Sequence, residues 1–165
     1  MRIKRLPNIL ALHLKRFKYH ETLGRYIKLS YRVNFPIELR IPDMEEEADD
    51  ILYYLFGIVI HLGGGPFHGH YISIVRSDDK WVLFDDDCIE IVDESELYNY
   101  FGDLPSYGSG YVLFYERSDF DPSIYNLPIP SPSLPPTMPA GIKRGESKVC
   151  APASVAHAKT RLQAV

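Results

Sequence analysis

A histidine and three consecutive aspartates stand at the two ends of one predicted hairpin. His70 precedes an apolar segment, and Asp85-Asp86-Asp87 follow the next one, with a polar turn at residues 77–80 between them. A symmetric turn places His70 opposite Asp87, whereas a shift of two residues places it opposite Asp85, so spacing leaves both open. Opposed side chains lie about 4.5–5.5 Å apart at Cβ. A carboxylate there can accept the imidazole Nδ1–H and leave Nε2 free as a general base.

This pair supplies two of the three members of a nucleophile–base–orienter triad. The alternative for the aspartates is a solvated acidic turn, because charge runs are usually exposed. Neither cysteine of the chain suits the third position. A catalytic thiolate needs a neighbouring base or a helix N-terminus. Cys88 instead follows three aspartates on the outgoing strand, and Cys150 lies in a proline-rich terminal segment. We therefore predict a site without its nucleophile.

Three histidines fall between residues 61 and 70, which raises the question of a metal site. Zinc needs three or four convergent ligands. No CxxC pair and no carboxylate lies within this run, and Gly69 interrupts the i, i+2 pair formed by His68 and His70. We predict no metal and no cofactor. His61 is interpreted as a buried strand histidine and His68 as a loop histidine.

The elements that must position this pair are mainly β-strands. Residues 52–62 form an apolar run long enough for a helix, but their β-branched and aromatic content predicts a buried central strand. Asp93 is a good N-cap for a short helix through Phe101, which Gly102 ends. The sequence thus predicts an α+β or mainly β architecture with an antiparallel sheet. The predicted strands are residues 9–17, 26–35, 52–62, 71–76, 81–84, 89–92 and 110–116.

Composition divides the chain near residue 117. Eight of the 13 prolines lie in residues 118–165, and no aromatic follows Tyr125. Proline removes backbone donors and restricts its neighbour, so we predict a folded segment 1–117 and a disordered Pro-rich tail 118–165. The alternative for the tail is a docking site for a proline-recognising module. The acidic block 43–50 is predicted to be a solvated loop between two strands.

Charge and cysteine usage exclude several classes of function. The 165 residues carry a formal net charge of −4, which argues against a nucleic-acid partner. No apolar run approaches the ~18 residues of a membrane span. Two cysteines cannot build a disulfide framework, and their scarcity fits a reducing compartment. We expect an intracellular protein of the cytoplasm or nucleus.

Over residues 6–117 the sequence resembles the C-terminal part of a ubiquitin-specific protease (USP) catalytic domain. Residues 13–40 and the Gly-Pro-x-x-Gly-His-Tyr spacing resemble the small members activated by WD-repeat proteins, including the fungal carbon-catabolite-repression deubiquitinase. The glycine-histidine-tyrosine motif alone is weak, but several segments occur in family order. They are LPNIL (6–10), HLKRF (13–17), Tyr54-Leu55, His61 with Gly63, Gly69-His70-Tyr71, Trp81 with Phe84-Asp85-Asp86, and YVLFY (111–115).

The resemblance implies a palm subdomain of papain-like fold and thiol-dependent hydrolysis of isopeptide bonds at the C-terminal glycine of ubiquitin. It makes His70 the base, Asp85 its orienter and Asp86 the accompanying acid, and so prefers Asp85 to Asp87. Gly69 and Tyr71 would line the channel for the tail of ubiquitin, where a side chain at residue 69 would collide with an extended peptide. Loops 20–25 and 63–68 would cover that channel. The implied partners are ubiquitin, ubiquitinated proteins and a WD-repeat activator.

The departures from the family pattern are as informative as the match. A USP needs a Cys box with the nucleophile and an oxyanion-stabilising asparagine, and it usually carries two CxxC pairs; these 165 residues contain neither. We therefore expect half an enzyme, inactive alone. The alternative is a non-catalytic ubiquitin-binding or scaffold module that keeps the palm surface without the chemistry.

Overall fold

A computed structural model describes residues 5–42, 50–104, 107–121 and 123. The described chain is mostly antiparallel sheet with one short helix, as the sequence predicts. Its elements are β1 (Ile9–His13), β2 (Phe17–His20), β3 (Arg25–Lys28), β4 (Glu38–Ile41), β5 (Ile51–Leu62), β6 (His70–Ser77), β7 (Lys80–Asp85), β8 (Cys88–Val92), a 3-10 helix (Glu94–Phe101) and β9 (Ser109–Arg117).

The main sheet has seven strands, and β5 lies at its centre. The strand order is β1-β9-β5-β6-β7-β8, and β4 also pairs with β5. The predicted central strand is therefore confirmed, because a segment that is apolar throughout can bury both of its faces. The predicted β6–β7 hairpin is confirmed too, with Ser77 opposite Lys80 at its turn.

One face of this sheet carries the core. Leu55, Ile58, Ile60 and Ile74 are almost fully buried, and the 3-10 helix packs over them. The helix occupies the predicted residues and is of the tighter 3-10 type. Its predicted N-cap holds, since the Asp93 N–H donates to Glu96 Oε1 over 3.2 Å. Gly102 ends it in the left-handed region, at φ 105°.

The strand predicted over residues 26–35 is wrong beyond Lys28. β3 ends there and pairs with β2 as a separate two-stranded hairpin. The Leu29 N–H still donates to the Arg16 carbonyl over 2.6 Å, as the last bond of this hairpin. Beyond it the Tyr31 carbonyl accepts from the Arg16 guanidinium, and the Val33 N–H donates to the Phe101 carbonyl over 2.9 Å. Further along, Phe35 enters the core and meets the ring of Phe101 at 4.7 Å. Core packing thus replaces strand pairing in this stretch.

The last strand of the sheet ends at the residue where we placed the boundary between the folded segment and the tail. β9 ends at Arg117, and the Ser118 N–H still donates to the Leu52 carbonyl over 2.9 Å. Most of the predicted tail (residues 122 and 124–165) and most of the acidic block (residues 43–49) lie outside the described residues. The acidic block does connect two strands, β4 and β5. Among the described residues, no helix is long and apolar enough to cross a membrane.

Candidate active site

The site begins where β6 leaves the glycine-rich loop. His70 is the first residue of β6 and lies opposite Leu62 of β5. Its side chain is 34% exposed, and that of Asp85, the last residue of β7, is 27% exposed. The sheet therefore places both groups at one end of neighbouring strands, where they remain open to a reactant.

His70 contacts Asp85, although the hairpin has the symmetric register. The ladder pairs Ser77 with Lys80 and Ser73 with Phe84. Continued, that register would bring Asp87 opposite His70. β7 instead ends at Asp85, and the chain turns back into β8 through Asp86 and Asp87. His70 therefore reaches Asp85 as a diagonal neighbour on the same sheet face, with Nε2 and Oδ1 2.5 Å apart.

The ring orientation differs from the expectation. We predicted that Nδ1 would face the carboxylate and leave Nε2 free. In the structure the Nε2–H donates to Asp85 Oδ1, so Nδ1 is the nitrogen left for an incoming group. The reason is the diagonal geometry: the far side of the imidazole reaches a carboxylate two residues along the partner strand.

Asp86 joins the pair at a longer distance. Its Oδ2 lies 4.0 Å from His70 Nε2, and its side chain is 76% exposed. Asp86 sits in the left-handed region at φ 49°, which aspartate tolerates better than most residues. These three side chains could also converge on a metal ion. However, ligand atoms around tetrahedral zinc stand about 3.3 Å apart, so the Nε2–Oδ1 distance fits a shared proton better.

Gly69 is required by the chain itself. We predicted that a side chain here would collide with a bound peptide. The structure shows an internal reason, since a Cβ at this position would lie 2.4 Å from both His61 Nε2 and the Leu62 carbonyl oxygen. Its φ of 150° adds backbone strain for any other residue. The glycine therefore lets β6 start directly against β5.

His61 fills the space beneath that glycine. It lies on β5 with 2% of its surface exposed, which confirms the interpretation as a buried strand histidine. Burial, followed by the charges of Lys28 and His68, lowers its pKa from 6.5 to about 4. The imidazole is therefore neutral at physiological pH, and its Nδ1 has no hydrogen-bond partner within the described part of the chain.

His61 and four further rings form a connected group that we call the aromatic cluster. Tyr71 contacts His61 at 4.9 Å, and Phe17 contacts it at 5.2 Å. Tyr111 contacts Tyr71 at 5.9 Å and His13 at 4.6 Å. Tyr111 joins because it is the extra residue of a β-bulge between β9 and β5. Tyr71 is still 50% exposed, so the cluster offers an aromatic surface beside His70.

An open groove lies between the β2–β3 hairpin and the glycine-rich loop, the two segments predicted to cover a channel. It has a volume of about 640 Å³ and is lined by Tyr19, Tyr26, Phe67 and neighbouring backbone. Lys28 joins its two walls, because its ammonium donates to the carbonyls of His61 and Gly63 over 2.9 Å each. Burial and the nearby Arg16 lower the pKa of Lys28 to about 8.

Arg16 is a buried residue that sequence reasoning missed. Its guanidinium donates to the carbonyls of Gly110 (3.2 Å), Phe101 (2.9 Å) and Tyr31. It lies against Gly102, where a Cβ would come within 3 Å of it. Arg16 therefore ties β9 and the end of the 3-10 helix to the segment after β3. In the sequence it directly follows an alternating strand, and nothing in that position indicates that the side chain is buried.

Cys88 stands on the far side of Asp85 from His70. It lies directly opposite Asp85 in the β7–β8 ladder. Because β7 lies between β6 and β8 and strands are about 4.8 Å apart, the backbone of Cys88 is about 10 Å from β6. Asp85 therefore occupies the space between this residue and the imidazole. Cys150 lies outside the described residues.

The fold is that of a USP catalytic domain, and comparisons with known proteins agree. Residues 1–115 match the ubiquitin carboxyl-terminal hydrolase family, and the chain belongs to this family. It is 52% identical over 120 residues to ubiquitin carboxyl-terminal hydrolase 4 of Arabidopsis thaliana. It is 51% identical over 124 residues to the probable ubiquitin carboxyl-terminal hydrolase creB of Aspergillus niger. The resemblance to fungal members is thus confirmed.

Solved structures show the same fold. The yeast SAGA deubiquitinating module is 31% identical, with a TM-score of 0.58, over 70% of this chain and 26% of that one. The SAGA Ubp8/Sgf11/Sus1/Sgf73 module bound to ubiquitin aldehyde is 28% identical, with a TM-score of 0.59, over the same shares.

This chain spans only part of its relatives. The matched segment is 70% of this chain and 33% of the Arabidopsis protein, and 73% of this chain and 16% of the Aspergillus protein.

Proposed function

We propose that this chain provides the histidine and aspartate half of a deubiquitinase centre. The reaction is thiol-dependent hydrolysis of isopeptide bonds at the C-terminal glycine of ubiquitin. The single observation that carries the proposal is the 2.5 Å contact between His70 Nε2 and Asp85 Oδ1 in a chain of this family. A partly exposed imidazole held by a carboxylate is the base–orienter unit of a triad.

In this proposal Asp85 fixes the tautomer of His70. By accepting the Nε2–H it leaves the lone pair on Nδ1, which then takes the proton of a thiol. The carboxylate also stabilises the imidazolium that forms. Asp86, 4.0 Å from Nε2, adds negative charge on the exposed side of the ring. It is the accompanying acid of the site.

Ubiquitin is the proposed substrate because of the relatives and the surface beside His70. The relatives are ubiquitin carboxyl-terminal hydrolases, and one solved neighbour is bound to ubiquitin aldehyde. Tyr71 offers an exposed ring next to His70, and Gly69 directly precedes this histidine in the chain. We assign these two residues to the channel for the tail of ubiquitin.

We further propose that the nucleophile is not among these 165 residues. Cys88 lies beyond Asp85, and Cys150 belongs to the predicted tail. Without its thiol a triad enzyme loses nearly all of its rate enhancement. The thiol would then come from a segment that corresponds to the part of the relatives this chain does not match.

A fluorogenic ubiquitin C-terminal substrate tests this proposal. The chain alone should give no turnover. Adding the part of the Arabidopsis relative that this chain does not cover should restore turnover, and Asp85→Ala should lower the restored rate by about a hundredfold or more. Turnover by the chain alone that Cys88→Ser abolishes would instead make Cys88 the nucleophile. If it survived that change, no missing thiol would be needed.

A second candidate is a non-catalytic ubiquitin-binding module, favoured by the absence of a thiol next to His70 within the described part of the chain. Titration with labelled ubiquitin tests it. Tyr71→Ala should weaken saturable binding, and Tyr98→Ala, with a similar exposure of 48%, is the matched control. Gly69 is unsuitable here, because any side chain at that position disturbs His61 first.

Two further expectations stay predictions. They are a WD-repeat activator as partner and a location in the cytoplasm or nucleus. A pull-down of purified WD-repeat proteins by the tagged chain would test the activator. Imaging of the tagged chain in cells would test the location.

A further inference from the structure

We propose that the outer edge of β8 binds an extended segment of a partner protein in which apolar residues alternate with lysine or arginine. β8 is the last strand of the sheet and pairs with β7 on one side, in the described part of the chain. The other side of such a strand presents backbone donors and acceptors that can template a further strand.

β8 lacks the proline, the lysine and the bulge that often protect an edge, and its charged groups are the acids Asp87, Glu90 and Asp93. Its sequence, CIEIV, contains no proline and no lysine. It pairs with β7 through five consecutive residues without a register shift, so no bulge twists it away. The edge is therefore regular enough to accept another strand.

The sheet face next to this edge is apolar and open. Ile89 and Ile91 are 67% and 64% exposed, and Phe84, directly opposite Ile89, is 38% exposed. These side chains point away from the core, since their neighbours Leu83 and Val92 are buried on the other face. Covering exposed side chains of this size is favourable, at about 25 cal/mol per Å².

Charge decides which segment fits. Residues 81–116 contain nine aspartates and glutamates and no lysine or arginine. Asp87 and Asp93 are exposed at the two ends of β8, and Glu90 is exposed in its middle, on the face opposite the two isoleucines. An added strand therefore meets apolar groups on one face and a carboxylate on the other. That pattern selects alternating apolar and basic residues, and it disfavours a second copy, whose β8 carries the same acids.

This surface is separate from the candidate active site. The isoleucines lie on the sheet face opposite to the one from which His70 and Asp85 project, because side chains alternate along β6, β7 and β8. A ligand on this edge therefore leaves the imidazole of His70 accessible, and its binding is independent of the proposed function.

Binding of a nine-residue peptide of alternating valine and lysine to the full chain tests the proposal. Fluorescence anisotropy should show saturable binding that weakens as salt rises, and amide exchange at Ile89 and Ile91 should slow. A valine–glutamate peptide of the same length should not bind. Ile91→Lys should weaken binding at least about tenfold, whereas Ile9→Lys, on the opposite edge strand β1 and 43% exposed, should change it less than about twofold.

Glu90→Lys completes the test by reversing the charge in the middle of β8. This variant should bind the valine–glutamate peptide more tightly than the valine–lysine peptide. Equal binding of both peptides to the unaltered chain would overturn the proposal. So would displacement of the peptide by ubiquitin, or a concentration-dependent dimer in sedimentation. Lys143 and Arg144 belong to the predicted Pro-rich tail. Amides at Ile89 and Ile91 that are slow in the free chain, and become fast on Lys143→Glu with Arg144→Glu, would assign this edge to that tail instead.

Discussion

His61 and His70 lie on neighbouring strands beside the same glycine, yet their surroundings make them different chemical groups. His61 is 2% exposed, and burial, with the charges of Lys28 and His68, lowers its pKa to about 4. His70 has a third of its side chain exposed and a carboxylate 2.5 Å from Nε2. One histidine is a neutral packing element, and the other is available for proton transfer.

The difference shows that residue type alone does not define the site. Gly69 links the two histidines, because its missing side chain lets His61 pack beneath it and sets where β6, and therefore His70, begins. A change at Gly69 or His61 should act on stability, and a change at His70 or Asp85 should act on chemistry. The following predictions test that division, in order of decreasing effect on stability.

Gly69→Ala should be the most disruptive of these changes. The new Cβ would lie 2.4 Å from His61 Nε2 and the Leu62 carbonyl oxygen, at a φ of 150°. We expect a loss of about 3 kcal/mol or more in the free energy of unfolding, from overpacking and backbone strain together. Urea denaturation followed by tryptophan fluorescence measures it.

Gly24→Ala is the matched control for that change. Gly24 also has a positive φ, of 59°, but a Cβ there would meet nothing within 4 Å. It should therefore lose only the strain contribution, about 1 kcal/mol. Equal losses for the two alanines would contradict the packing role assigned to His61.

His61→Phe should remove a pH dependence of stability. The folded pKa of His61 is about 4, below the 6.5 of the unfolded chain. Its contribution to stability is therefore complete above pH 6.5 and declines as the pH falls toward 4, by up to about 3 kcal/mol. Phenylalanine cannot be protonated, so the variant should lose less stability between pH 7.5 and 4.5 than the unaltered chain does.

Urea denaturation at both pH values gives that difference. Other groups titrate in this range, but they are common to both proteins and cancel in the comparison. At pH 7.5 the variant should stay within about 1.5 kcal/mol of the unaltered chain. The same pH dependence in both proteins would show that His61 is not the titrating group.

Asp85→Ala should barely change the free energy of unfolding but should change the tautomer of the His70 imidazole. An ion pair that is partly exposed contributes about 0–1 kcal/mol. Without this carboxylate only the exposed Asp86, 4.0 Å away, lies near Nε2, so the imidazole should become a mixture of tautomers, visible in its ¹⁵N chemical shifts. An unchanged tautomer would mean that Asp85 does not orient the ring.

Lys28→Met should raise the pKa of His61 while leaving it below 6.5. Burial is the largest cause of the shift and remains, whereas the repulsion from the ammonium is lost. An NMR titration of the His61 imidazole measures this, and Lys18→Met, on β2, serves as a control that should leave the pKa unchanged. A fall in the pKa would contradict the electrostatic role of Lys28.

Much of the sheet could be predicted from the sequence because its strands have strong patterns. The apolar run that forms β5, the β6–β7 hairpin and the Asp93 cap all follow from local residue preferences. The prediction over residues 26–35 was wrong beyond Lys28 because the guanidinium of the buried Arg16 binds the Tyr31 carbonyl and Phe35 inserts into the core. Such contacts join residues far apart in sequence, so no local pattern announces them.

The site shows the same division. Sequence placed His70 and the aspartates at matching ends of a hairpin, and the family resemblance chose Asp85. The diagonal contact and the use of Nε2 depend on where β7 ends, which the turn through Asp86 decides. The internal reason for Gly69 depends on His61, a residue of another strand.

By itself, the sequence determined the family, the antiparallel sheet and the types of residue at the site, because these follow from local patterns and motifs. Only the tertiary structure decided that the contact is diagonal and uses Nε2, that His61 is neutral beneath Gly69, and that β8 is an acidic edge strand among the described residues. Those outcomes depend on burial and on distances between strands, and both arise only when the sheet is assembled.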